Sequence, residues 1–242
     1  ANEDVYFGEL SSIIEKDAVL ASHVLKLVDS ALYARSGTIN SVRHAVSILG
    51  INKLRNVALS LSVSRIWKQT KTPKNWSQAA FNLHAVAVAV MCDLLAQRLP
   101  VPYPEGAFTS GLLHGMGKMM IAIGLPAEYD TILRLYQESG NLSMEDLEMD
   151  VVGCTHSELC GYALAEWKLP VEIQRAVETQ HRPVHLPLTL GGLLSLAHEV
   201  IHRVDVSMPA CQCRSTGTPE AVIASVGVEP QQILSEYQAE FE

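Results

Sequence analysis

One stretch limits the folds open to this chain more than any other. Residues 75–99 are apolar nearly all round: Phe81, Leu83, Val86, Val88, Val90, Met91, Leu94 and Leu95 fall on every face of a helix. A helix with no polar face has only the middle of its domain to lie in. Pro100, Pro102 and Pro104 then stop it. The helix carries His84 with it, so a titratable ring is expected in the interior, where it needs a partner or a purpose.

Gly111-Leu112-Leu113-His114-Gly115-Met116-Gly117-Lys118 poses the same question more sharply. Ala107 and Phe108 precede it and Met119, Met120, Ile121, Ala122 and Ile123 follow, so His114 and Lys118 are expected to be half-buried. The glycines let another backbone or a ligand approach closely. His156, His181 and His198 lie on later helical segments and are also expected inside.

Composition removes some function classes. The net charge is −8, which disfavours a nucleic-acid partner, since phosphate backbones are met by clustered Lys and Arg. No run of about 18 apolar residues lacks a polar break, so no membrane span is expected, and the start shows no signal-peptide pattern. The five cysteines include no Cys-x-x-Cys pair. Cys92, Cys154 and Cys160 sit in apolar helical contexts, as small hydrophobes do. A reducing, cytoplasmic setting is expected.

Helical periods run the length of the chain, with no β-alternation of any length, which predicts an all-α fold. Val5, Leu10, Ile13 and Ile14, then Leu20, Val24, Leu27 and Val28, mark two early helices. Ser41 can cap a third, and Leu54, Val57, Leu61 and Ile66 line a fourth. Residues 1–72 read as an N-terminal helical subdomain, with a boundary near Lys71-Thr72-Pro73-Lys74. Residues 73–205 read as the helical core. Within it helices are expected over 105–114, from Pro126 to Gly140, over 144–152 behind Ser143, from the capping box Thr155-His156-Ser157-Glu158 through Trp167, from Pro170 to His181, and over 188–204. Trp167 is expected in the core. Residues 206–242 read as a loop followed by two helices, opened by Pro219 and Pro230, that pack on the core.

These segments carry a resemblance. Gly111-Leu112-Leu113-His114 with Gly117-Lys118 resembles the Gly-Leu-Leu-His-Asp-x-Gly-Lys signature of the HDOD domain, a bacterial signalling branch of the HD-type metal-dependent phosphohydrolases. Asp17-Ala18-Val19-Leu20, Ser30-Ala31-Leu32-Tyr33, Ile39-Asn40-Ser41-Val42 with Leu49-Gly50, and Trp167-Lys168-Leu169-Pro170 are similar to its other blocks, in order. The resemblance covers nearly the whole chain and implies an HD-like multi-helix domain.

It also implies where a metal would lie. Active relatives hold one or two metals with histidines, an adjacent His-Asp pair and a last Asp; the matching histidines here are His84, His114, His156 and His181. The Asp of the pair is Gly115 here, and the last Asp corresponds to His198. Glu199 is one residue off and would point about 100° away on a helix. Carboxylates balance the charge of a dinuclear centre and suit hard cations, whereas imidazoles alone suit one Zn²⁺ or Ni²⁺. No cofactor is expected, with a single divalent metal held by His84, His114, His156 and His181 as the fallback.

Beside each functional role stands a plainer one. His84 fits a core histidine bonded to a carbonyl; His156 fits a first-turn residue; His181 fits a helix-end cation; Lys118 either meets a phosphate or reaches out to water. His84, His114, Lys118, His156, His181 and His198 are therefore candidates for lining one polar pocket. The expected function is a non-catalytic signal-transduction module that binds a signalling protein or a small ligand such as a nucleotide, through a degenerate metal site. The alternative is a metal-dependent phosphohydrolase acting on a nucleotide or cyclic dinucleotide. A third reading, a redox or metal sensor using Cys154 and Cys160 near His156, is weaker because a spacing of six divides the cysteines between helix faces.

Overall fold

The computed structural model describes residues 72–74, 76–139, 142–203 and 219–225, with isolated positions at 11, 12, 14–16, 21, 41, 42, 44, 229, 231–233 and 235. The chain divides into two compact units, Ala1–Trp67 with Gln238–Glu242, and Lys68–Tyr237. In the first unit Ile14 and Val42 are buried, and the Ser41 hydroxyl accepts the His44 N–H at 3.1 Å, the bond its capping role requires. The remaining helices expected before residue 67, and the loop expected at 206–217, lie outside the described residues.

The second unit is built from helices, with no strand among the described residues. Its centre is α1 (Gln78–Ala96), opened by the Ser77 hydroxyl accepting from the Ala80 N–H. Phe81, Val88, Met91, Leu94 and Leu95 are all buried. By length and composition α1 would suit a membrane span, but over half of its apolar window is covered by its own domain. It is the core helix expected from an all-round apolar face.

The helix expected over 105–114 is present, and a further helix that the sequence reading did not name follows it. A 3-10 turn over Pro104–Gly106 leads into α2 (Ala107–Leu113), and α3 (Met116–Gly124) starts afresh beyond His114 and Gly115. Both are tied down by glycines. A Cβ at Gly111 would stand 2.6 Å from the Ala89 Cα, so α2 lies directly against the α1 backbone. A Cβ at Gly117 would stand 1.9 Å from the His156 carbonyl oxygen. No side chain fits either position without moving backbone.

Four further helices follow: α4 (Pro126–Ser139), α5 (Met144–Val152), α6 (His156–Glu166) and α7 (Val171–Glu178). Reciprocal capping boxes open α5 (Ser143 with Asp146) and α6 (Thr155 with Glu158). Pro170 sits just before α7, which ends at Glu178, so His181 lies in the turn beyond it. α8 (Leu190–Arg203) packs on α1, α2 and α7, and α9 (Pro219–Ser225) touches α8. α6 lies between α3 and α7, while α4 and α5 pair to one side.

Trp167 departs from expectation. It is 58% exposed, and Tyr162 on the same helix is 76% exposed. Trp167 caps the end of α6, and Lys168 takes a left-handed φ of 56° directly after it. The chain turns there, so the indole has no facing helix to lie under. Leu164 covers the inner face of α6 instead.

Candidate metal centre and its acid partner

Each candidate histidine is delivered by a different piece of the bundle. His84 comes from the middle of α1, His114 from the break between α2 and α3, His156 from the first position of α6, His181 from the turn after α7, and His198 from α8. The fold gathers all five into one array. Ring centres lie 5.3 Å apart for His84–His114, 5.2 Å for His84–His198 and 4.3 Å for His114–His198. His181 joins His198 at 6.0 Å and His156 at 4.9 Å.

Within the array the donors form two groups. One ring nitrogen from each of His84, His114 and His198 lies within 4.8 Å of the others, and all three residues are buried. The second group is Glu145, His156 and His181 at the same spacing. The four-histidine set expected from sequence is thus divided between two groups, and His198, at the position of the missing Asp, completes the first.

His114 shows how the first group is set up. Its Nδ1–H donates to the Gly111 carbonyl, which leaves Nε2 as the lone-pair nitrogen. That Nε2 is buried and has no hydrogen-bond partner. Gln180 braces the position: its Nε2 donates to the His114 carbonyl at 3.2 Å and to the Ser157 hydroxyl at 3.1 Å. The Cys160 thiol donates to the Leu113 carbonyl at 3.2 Å. Burial pushes that thiol up to about 12, which disfavours the reactive thiolate.

The second group contains what sequence reading overlooked. Glu148 is 2% exposed. Its Oε2 accepts both the His156 backbone N–H and the His156 Nδ1–H, each at 2.7 Å. This fixes His156 as the Nδ1–H tautomer, with a lone pair on Nε2. His156 Nε2 stands 2.9 Å from His181 Nε2, so His181 supplies the proton of that bond. A directed chain runs from Glu148 through His156 to His181. The signal for Glu148 was present in the sequence: Met144, Leu147 and Glu148 share the apolar face of α5 at i, i+3 and i+4. A carboxylate on a buried stripe needs a partner.

Electrostatics separates the histidines from the acid. His114, His156, His181 and His198 are all held well below the usual imidazole value, first by burial. Lys118, itself only 5% exposed, adds to the effect at each of them. They are neutral at pH 7 and available as ligands or hydrogen-bond partners. Glu148 moves the other way: burial raises it to about 7, against the pull of Lys118 and of the His156 N–H. Burial also raises Glu145.

The donor sets decide which metals fit. The first group holds three imidazoles and no carboxylate, beside a buried ammonium. That is a poor cradle for two hard dications, whose charge nothing there balances. Position 115 cannot readily supply the missing acid, because a Cβ there already stands 3.1 Å from the Phe81 ring. The second group suits a single ion better. It sets the Glu145 carboxylate beside the His156 and His181 imidazoles, a mixed set that could hold one ion. Glu148 on Nδ1 is the outer carboxylate that commonly orients a ligating histidine.

Known proteins agree with the architecture. A curated protein of Treponema pallidum (strain Nichols), of uncharacterised role, is 24% identical over 239 residues, covering 96% of this chain and 44% of its own length. The chain thus spans less than half of that relative. An HDOD domain protein of unknown function from Geobacter sulfurreducens superposes with a TM-score of 0.77 at 22% identity, covering 98% of this chain and 84% of that one. A provisionally named signal transduction protein from Marinobacter aquaeolei VT8 superposes at 0.71 with 24% identity, covering 96% of this chain and 52% of that one. At such identities the solved structures establish the fold. The family model of the HDOD domain matches residues 1–183, some three-quarters of the sequence, and the chain belongs to the HDOD domain family.

Proposed function

We propose that this chain is a non-catalytic signalling module that works by binding a protein partner or a small ligand in the cytoplasm, with its histidine pocket serving as internal framework. The observation that carries the reading is the donor set around His84, His114 and His198. Its His114 and His198 are held well below the usual imidazole value by burial, it lies beside buried Lys118, and it lacks a carboxylate at both positions where active relatives carry one. Nothing in that group balances the charge of two hard cations. The signalling name of the Marinobacter aquaeolei neighbour points the same way.

One observation favours the second reading, a phosphohydrolase with a single metal. Glu145, His156 and His181 form a mixed acid and imidazole set, and Glu148 already orients His156. If an ion sits there, it supplies Lewis acidity, while Glu148 holds the His156 proton at Nδ1 and Lys118 offers a cation to an anionic substrate.

The readings separate by metal content and turnover of the purified chain. The module reading expects no cleavage of bis-p-nitrophenyl phosphate above background with added Mn²⁺, and no cleavage by Gly115→Asp either, because position 198 still lacks its acid. Cleavage by the unmodified chain, lost in His181→Ala, establishes the hydrolase instead.

A further inference from the structure

Away from the histidines, α7, the turn behind it and the start of α8 enclose an open cleft of about 420 Å³. That is the size of a small-molecule site. Arg175 on α7 and Arg182 in the turn both line it, and both are exposed. Among the described residues neither guanidinium has an ion-pair or hydrogen-bond partner. Two arginines without such partners thus line one concavity in a chain of net charge −8.

The walls add to the case. Gly191 and Gly192, in the first turn of α8, line the same cleft. The Leu190 and Gly191 amides precede the first intrahelical bond by their position. Gly191 is what lets the helix start come so near, since a Cβ there would stand 2.2 Å from the Thr179 hydroxyl. The Thr179 hydroxyl caps the Arg175 carbonyl at 2.7 Å, and the Arg182 N–H donates to the Thr179 carbonyl at 3.0 Å, so the backbone carrying both arginines is set. Pro102, Pro183 and Pro187 present a stiff apolar wall. Glu172 is the cleft's one carboxylate. It opposes polyanions and offers an acceptor to a hydroxyl.

We propose that this cleft binds a small organic phosphate: one phosphate group gripped by Arg175, Arg182 and the start of α8, with the organic body on the proline wall. Paired guanidiniums match a phosphate's several oxygens, and a helix start adds amides and a positive dipole end. Inorganic phosphate would leave the apolar wall unused, and a nucleic-acid strand would meet Glu172 and the acidic surface.

The test is titration of the full chain with phenyl phosphate, adenosine 5′-monophosphate and inorganic phosphate, followed by the Gly191 and Gly192 amide resonances and by calorimetry. The expected result is saturable binding of at least one organic phosphate, about tenfold tighter than inorganic phosphate. Arg175→Ala and Arg182→Ala should each weaken it about tenfold, with Arg→Lys variants intermediate. Both side chains are solvent-exposed, so the variants should keep their helical circular dichroism. The proposal is overturned if neither organic phosphate binds at millimolar concentration. It is equally overturned if inorganic phosphate binds as tightly, or if folded Arg175→Ala and Arg182→Ala bind as the parent does.

Discussion

The two halves of the histidine array differ in one respect, and their chemistry follows from it. His84, His114 and His198 gather without an acid; His156 and His181 gather with Glu145 and are directed by Glu148. Burial treats both halves alike and keeps His114, His156, His181 and His198 neutral. In the second half a buried carboxylate orients His156, whereas in the first half the Gly111 carbonyl orients His114. Proximity of imidazoles does not by itself make a metal centre; the acid beside them decides its charge and direction.

The strongest way to break this comparison is acid. The four histidines have folded values below the ordinary 6.5, so the unfolded chain takes up protons first. Stability is whole above about 6.5 and is lost as pH falls below it, with each of the four histidines adding to the slope. Urea unfolding curves between pH 7.5 and 5 would show it. A flat profile would mean that the rings are already charged in the folded pocket.

Gly117→Ala comes next. The added methyl meets the His156 carbonyl, so α3 and α6 must separate and the directed half of the array is disrupted. A loss of about 3 kcal/mol or more is expected in thermal melts. Gly115→Asp crowds only the Phe81 ring and should lose less, about 1–3 kcal/mol. Equal losses would remove the distinction between a backbone clash and a side-chain one.

Glu148→Gln sharpens the contrast through its sign. The folded value of Glu148 is raised from 4.5 to about 7, so its contribution is present below the unfolded value and lost as pH rises through 7. On acidification it therefore opposes the histidines. Glu148→Gln removes that opposition and should steepen the acid slope by about 1 kcal/mol per pH unit between pH 7 and 4.5. An unchanged slope would show that the carboxylate is not desolvated. At the small end, Trp167→Ala should shift stability by no more than about 0.5 kcal/mol, because the indole is mostly in water.

Much of this was legible from residues alone. The all-round apolar face of α1, the capping boxes at Ser143 and Thr155 and the proline stops are local signals, and local signals place helices. Glu148 was legible in principle, from its place on an apolar stripe. Trp167 was not: its hydrophobicity pointed inward, and only the left-handed turn at Lys168 sends it out. The partition of the histidines was not legible either, since it depends on which helices touch.

What the sequence by itself determined is the helical class, the family and the absence of acids at positions 115 and 198, because these are properties of residue type, order and short-range period. Tertiary structure alone decided that His198 closes a ring with His84 and His114, that Glu148 directs His156, and that Arg175 and Arg182 face one cleft. The histidines lie far apart along the chain, and even the pairs seven or eight residues apart sit on separate elements, so only packing, set here by contacts as close as Gly117 on His156, brings them within reach.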